Sequence, residues 1–513
     1  MIADESNLAV LSPTPRAWQA ILPRALVGQG FNWLALARGG SLFLATLAVY
    51  VAGRSPSLDD WDSVNFAKAI YHFDMRLQQP HPPGYPAYVF LARLTYAATH
   101  DPVAALTLLS AVCGALCVLA LYALASDFGI GWAALPLAAM PLFWLNSDMA
   151  LSDVPGLLFA VASVWLLHRA ARCEGAGGAA RRRWLVAGCA TAGFGTGVRP
   201  QDVVVPLAVA CLYVLPLLVL ARAWRDMARG AGAFTAACLL WAVPLLGSVG
   251  WDVRQLYQPL ATQLDYVRIA DSMLGQPLTR DLLDVRLASF GSVFSAYFGG
   301  PREGGLSAFL ALSAALVGLT LLAGRRRVTW LALSWLAPYG LFMLLVMQPT
   351  DPRKILPAVP AMLLLFGAAS LRVKGWGRAG QAAGLALTAF LAVKGLPLVR
   401  TLHTLATPPE QAIAFISAYY SSDNTVILAG NSLNHVYYEL PQYHSVAIDF
   451  VSEEELAQQL ANARYQYVIS LDEWDTTVPL PEEWQRGATL DFQRDPLVLP
   501  KASTVPFTVY HRI

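Results

Sequence analysis

Residues 57–86 read SLDDWDSVNFAKAIYHFDMRLQQPHPPGYP and follow closely on the first long apolar segment, Leu42 to Ala52. Asp59, Asp60 and Asp62 therefore stand within a few residues of the end of that segment. The run SVNFAKAI reads as a helix, and the prolines around His81 read as a rigid turn. Acids emerging from a membrane helix are well placed to act on something that arrives through the bilayer.

The rest of the chain supports a membrane setting. Of 513 residues, 56% are hydrophobic and 14% charged, whereas soluble domains run at about 45–50% and 25%. The generous Trp, Tyr and Phe content suits side chains at a membrane–water interface. A net charge of +2 argues against a nucleic-acid partner.

Crossing a bilayer takes roughly 20 mostly apolar residues. Candidate spans are residues 38–53, 103–126, 130–146, 154–171, 184–198, 203–221, 233–250, 305–323, 328–347, 354–371 and 380–398, eleven in all. With residues 1–37 as a cytoplasmic tail, a short interfacial helix carrying Trp18 and Trp33 is expected before the first span. No cleaved secretion signal is read there, because acidic Asp4 and Glu5 precede a polar, Pro-containing stretch. The basic clusters around Arg169 and Arg181–Arg183, Arg222–Arg229, Arg325–Arg327 and Arg372–Arg378 then all fall on one side. Counting residues 84–99 as a further span would put four of these clusters outside, so that segment is expected to be re-entrant or interfacial.

The fold expected is an all-α polytopic membrane protein with outer juxtamembrane helices and a small C-terminal α/β domain outside the membrane. Residues 38–398 form the membrane domain, with an outer loop at 54–102, and residues 399–513 the extracytoplasmic domain. Within the latter, TVILAG, HSVAIDF and YQYVIS read as strands and EEELAQQLANA as a helix. All six cysteines lie in or beside spans, so disulfides are not expected.

Four polar segments share the outer side: the 54–83 loop; NSDMALSDVPG with Asp148 and Asp153; GTGVRPQD with Arg199 and Asp202; and QPTDPRKILPAVP with Asp351, Arg353 and Lys354. An acid able to take a proton and cations able to hold a phosphate are what a sugar-phosphate transferase needs. Plainer readings stand beside this one. Asp59 and Asp60 also suit a solvated loop, Asp62 and Asp153 suit helix caps, Arg353 and Lys354 suit interfacial anchors, and His81 suits a brace in a turn. Arg199 near the membrane needs a partner or a task.

These segments resemble the GT-C superfamily of polytopic glycosyltransferases, in particular the protein O-mannosyltransferase and lipid A aminoarabinose transferase branches. Asp62-Ser63 before SVNFAKAI is similar to the acidic motif of the first outer loop, and His81-Pro82-Pro83-Gly84-Tyr85-Pro86 to its Pro-Pro element. LSDVPGLLFAVASVWLL, GTGVRPQDVVVPLA and RKILPAVPAMLLL follow in the superfamily's order. Ser63 stands where a second acid is common, so Asp59 or Asp60 is expected to supply it.

The resemblance implies an inverting transfer from a polyprenyl-phosphate sugar to a glycan, lipid or protein acceptor. Asp62 would be the base, with Asp59 and Asp60 beside it. His81, Tyr85, Asp148 and Asp153 would line the substrate pocket, and Arg199, Arg353 and Lys354 would hold the lipid phosphate. No metal is expected to be obligate, although clustered carboxylates suit Mg²⁺ or Mn²⁺. The setting expected is a bacterial inner membrane, with the N-terminus cytoplasmic and the C-terminus periplasmic. Three alternatives remain: a catalytically inactive scaffold whose C-terminal domain binds a partner, a lipid-linked-sugar flippase, and a polysaccharide polymerase or ligase using a diphosphate-linked donor. The last would draw on Arg254, Arg268, Arg280, Arg286 and Arg302 of the 251–304 loop.

Overall fold

The computed structural model describes residues 33–173, 178–275, 279–298, 305–347, 351–370, 377–448, 451–471, 480–500 and 503–513. Residues 1–32 of the expected tail, Trp18 among them, lie outside the described residues, and Trp33 opens the first helix, Trp33–Gly53.

Among the described residues, seven helices are long and apolar enough to cross a membrane: Pro102–Ser126, Asp153–Arg172, Pro200–Leu220, Trp224–Ser248, Arg326–Val346, Pro352–Ala369 and Arg378–Tyr419. Ala37–Gly53 and Ala311–Leu322 are shorter apolar helices. The last long one bends off at Leu405–Thr407, so its apolar part is the Gly377–Thr404 helix.

Two expected spans differ. Residues 130–146 are not one helix but three pieces, Gly131–Ala134, Leu135–Ala139 and Pro141–Asp148. The break falls at Met140, which is extended (φ −67°, ψ 121°). Its neighbour Pro141 drives the preceding residue out of the helical region. Residues 184–198 belong to a longer helix, Gly178–Val198, whose first turn and a half carries Arg181, Arg182 and Arg183.

Helices Trp61–Tyr71 and Pro86–Thr99 lie between the Trp33–Gly53 and Pro102–Ser126 helices. The second has 14 residues, about 21 Å at the α-helical rise, which is short of the roughly 30 Å hydrocarbon core. It follows a turn in which Tyr85 takes a left-handed conformation (φ 43°), a geometry that costs a non-glycine residue roughly 1–2 kcal/mol.

Beyond the membrane helices, the expected C-terminal strands are present as β1 Thr425–Ala429, β2 His444–Ala447 and β3 Tyr467–Leu471, joined by β4 Trp484–Gln493 and β5 Thr504–Arg512. The sheet order is β2-β1-β3-β5-β4. β1 pairs parallel with β2 and β3, while β5 runs antiparallel to β3 and β4. Helices Pro408–Tyr419 and Leu433–Glu439 cover one face, where Ile416 and Val436 join Phe507 of β5 in one buried cluster, and Glu453–Leu460 covers the other through Leu456 and Leu460. The strands of the centre are buried on both sides, as β1 shows with every residue buried.

Candidate functional site

Asp60 is the N-cap of the Trp61–Tyr71 helix and accepts a hydrogen bond from the Asp62 amide at 2.9 Å. An aspartate at that position satisfies one otherwise unpaired amide and is worth about 0.5–2 kcal/mol. The cap considered for Asp62 thus falls on Asp60, and Asp62 occupies the first turn with its carboxylate 3.5 Å from His81 Nδ1. Likewise Asp153 is not a cap; Ser152 precedes it and Asp153 is the first residue of its helix.

The centre of the site is Arg353. It sits in a 3-10 turn, Pro352–Ala358, that Asp351 caps by accepting from the Arg353 amide at 3.3 Å. Its guanidinium lies 3.1 Å from Asp351, 3.5 Å from Asp60, 3.8 Å from Asp153 and 4.0 Å from Asp62. Lys354 follows it, 3.9 Å from Asp351, with its carbonyl accepting from the Tyr339 hydroxyl at 2.7 Å.

Arg199 forms the far wall. It pairs with Asp153 at 2.8 Å and Asp202 at 3.7 Å, and donates to the Ser152 hydroxyl at 2.9 Å. Gly156 makes this approach feasible, because a Cβ there would meet the Arg199 side chain and the Asp202 carboxylate at 2.5 Å. Tyr85 stacks edge-on to Phe66, and its ring lies 4.9 Å from that of His81. Burial pushes the Tyr85 phenol well up, which favours its uncharged form.

Five carboxylates therefore surround three cations. Most are nearly enclosed, with Asp153 3% and Arg353 9% exposed, but the Asp62 side chain is 33% and Lys354 19% open. Asp62, an acid, and Lys354, an amine, are thus the most exposed side chains of the cluster, and Asp62 marks its mouth. Nearby, Gln78, Pro82, Arg254, Gln255, Gln258 and Thr262 line a polar cleft of about 590 Å³ that begins one residue from His81.

Two expected site residues lie elsewhere. Asp59 is fully buried, and its Oδ1 accepts two hydrogen bonds of 2.9 Å from Arg494 of the C-terminal domain. Asp148 is also fully buried; a Cβ on Gly53 would run into its carboxylate, and among the described residues it forms no ion pair. The described arginines of the 251–304 loop are dispersed, with Arg254 lining the cleft beside Pro82. Arg286 donates to the Met347 carbonyl at 2.7 Å, Arg268 and Arg280 face Asp265 and Asp284, and Arg302 lies outside the described residues.

Among the described residues no three His, Cys, Asp or Glu side chains converge as metal ligands would. The acids that could suit Mg²⁺ or Mn²⁺ face guanidinium groups instead. Asp202 and Asp351 stood in the outer segments without a role, and their participation follows from spacing: each lies three residues or fewer from a site arginine. Arg494 carried no sequence signal, since its partner is 435 residues away.

Similarity to known structures extends over most of the chain. Residues 80–251 match the family model described as dolichyl-phosphate-mannose-protein mannosyltransferase. No curated protein matches the chain by sequence. The crystal structure of ArnT from Cupriavidus metallidurans bound to undecaprenyl phosphate superposes with a TM-score of 0.56 at 14% identity, covering 92% of this chain and 97% of that one. Its apo form gives 0.53 at 16% identity, covering 94% and 98%. The oligosaccharyltransferase of Archaeoglobus fulgidus gives 0.46 at 14% identity, covering 86% and 70%. Helical bundle, outer helices and C-terminal sheet together share the fold of ArnT.

Proposed function

We propose that this protein transfers a sugar from a polyprenyl-phosphate donor to an acceptor hydroxyl or amine, with inversion at the anomeric carbon. The observation that carries this reading is the mouth of the cluster, where Asp62 is open to water yet lies 4.0 Å from Arg353. Undecaprenyl phosphate in the ArnT crystal supports a lipid phosphate as the donor's leaving group.

In the reaction, the acceptor oxygen or nitrogen attacks the anomeric carbon, and the bond from that carbon to the phosphate oxygen breaks. Asp62 takes the acceptor proton, assistance typically worth about 10²–10⁴-fold. The polyprenyl phosphate departs with one more negative charge than it carried in the donor. Lys354, the most open of the cations, meets that charge first, and Arg353 joins it through its planar fork. Arg199 holds Asp153, which with His81 and Tyr85 shapes the sugar pocket. The acceptor approaches from the polar cleft beside Pro82. We assign the cluster to the periplasmic face of a bacterial inner membrane, with the N-terminus cytoplasmic, on the one-sided distribution of basic loops.

The test is to incubate the purified protein with a panel of polyprenyl-phosphate sugars and measure released polyprenyl phosphate. Wild type is expected to release it, and Asp62→Asn to fold, bind undecaprenyl phosphate and release almost none. Turnover of Asp62→Asn at the wild-type rate removes Asp62 from the mechanism. Movement of intact donor across a vesicle membrane without consumption would instead mark a flippase.

A further inference from the structure

The segment that delivers Asp60 and Asp62 is gripped from outside the membrane domain. The Leu58 amide donates to Glu410 Oε1 at 3.1 Å, and the Leu58 carbonyl accepts from His435 Nε2 at 2.9 Å. Asp59 is clasped by Arg494, a pair whose side chains are 0% and 1% exposed. The Trp61 carbonyl accepts from Asn434 Nδ2 at 3.0 Å, and Lys68, two turns further on, donates to the same Asn434. Four residues in a row before Asp62 thus include three whose positions are set by the C-terminal domain.

The same domain also reaches the opposite wall of the cluster. Just after Arg494, residues Leu497–Pro500 run beneath Arg353 and Asp351. The Tyr297 hydroxyl donates to the Leu497 carbonyl at 2.8 Å. Val498, Leu499 and Pro500 close a gap of about 10 Å³ against Arg353, Asp351 and Tyr297. One short strap therefore touches Asp59 at its start and the floor under Arg353 at its end. Solvation alone does not require this. A fully desolvated ion pair is a costly way to attach a domain, since apolar side chains of similar size commonly serve as well. What a directional pair adds is register.

We propose that Arg494 and His435 are positioning residues of the catalytic centre, acting through Asp59 and the Leu58 carbonyl to hold the Asp62 carboxylate opposite Arg353. This rests on the glycosyl-transfer reading above. The C-terminal domain is then a part of the active site's framework, although none of its described side chains is in the cluster. A displacement of about 1 Å at a reacting group can cost on the order of 10²-fold in rate.

The experiment uses the full chain in detergent or nanodiscs, with two readouts: kcat on the donor panel and affinity for undecaprenyl phosphate. His435→Gln keeps a side-chain N–H for the Leu58 carbonyl, whereas His435→Leu removes it. Arg494→Lys keeps a cation for Asp59, whereas Arg494→Gln does not. Expected are losses of about 10–100-fold in kcat for His435→Leu and Arg494→Gln, with undecaprenyl phosphate affinity within about twofold of wild type. His435→Gln and Arg494→Lys should recover much of each loss. Folded His435→Leu with wild-type kcat, or a kcat loss matched by an equal loss of phosphate affinity, overturns the proposal. If Arg494→Gln does not fold, the His435 pair decides alone. Wild type that consumes no donor sinks the glycosyl-transfer reading, and this inference with it; wild type that turns over with variants that match it sinks the inference only.

Discussion

Asp59 and Asp62 are three residues apart and have opposite surroundings. Asp59 is fully buried, with Arg494 at 2.9 Å, and burial pushes its carboxyl up against the pull of that arginine. Asp62 is one-third exposed and meets Arg353 at a loose 4.0 Å. A tight dry pair fixes geometry and leaves no room for a proton to be exchanged with a substrate. A loose, open carboxylate does the reverse. In one short acidic run, the more exposed residue is the one the proposed mechanism uses.

The largest effects should separate these two positions by the kind of loss. Asp62→Asn is expected to lose about 10²–10⁴-fold in transfer and to unfold at nearly the wild-type temperature. Asp59→Asn leaves Arg494 buried without its counter-charge and should cost about 3–5 kcal/mol of stability. Equal melting shifts for the two variants, measured by thermal unfolding in the same detergent, would erase the distinction. The double change Asp59→Leu with Arg494→Met sharpens it. Stability should return to within about 1–2 kcal/mol of wild type, while kcat stays low because register is no longer specified.

The same contrast explains what the sequence made legible. In a chain this apolar, charged side chains collect at the ends of membrane helices. Sidedness alone was therefore enough to group Asp62, Asp153, Arg199, Arg353 and Lys354, and the structure brings these five together. Spacing could not tell Asp59 from Asp62, because their directions depend on Arg494 and Arg353, hundreds of residues away. Asp60 as the cap was within reach of the sequence, since it directly precedes the helical run. So was the break in 130–146, where Pro136 and Pro141 both stand. β4 was not, for its residues after Trp484 are almost all exposed and show no alternation.

Smaller effects should appear in the pH response of the grip on Leu58. Burial raises the Glu410 carboxyl from 4.5 to about 7, helped by Asp59 and opposed by the hydrogen bonds from Ser57 and Leu58. The folded state therefore holds that proton more tightly, and the contribution is complete below pH 4.5 and is lost as pH rises through about 7. Burial also lowers His435 from 6.5 to about 4. Its contribution is complete above pH 6.5 and is lost as pH falls through about 4. Each slope amounts to at most about 3 kcal/mol, and across this window they oppose one another. Wild-type stability should be nearly flat from these two groups. Glu410→Gln should become more stable as pH rises from 4 to 6.5, and His435→Gln less stable as it rises from 4.5 to 7. Parallel pH profiles for both variants would show that neither group titrates as its burial implies.

The smallest effect is expected where burial resembles that of Asp59 but, among the described residues, no arginine lies within ion-pair distance. Asp148 is 0% exposed, and neither carboxylate oxygen has a hydrogen-bond partner among the described residues. Burial pushes its carboxyl well above the usual range, against the opposing pull of Trp144 and Arg54, and so favours the uncharged form. An amide of the same shape replaces an uncharged carboxyl with little change in packing or charge. Asp148→Asn should therefore shift stability by no more than about 1 kcal/mol and leave donor consumption at the wild-type rate. A loss as large as that of Asp59→Asn would mean that Asp148 is ionised in the folded protein and held by a cation, and burial alone would no longer separate a structural acid from a reacting one.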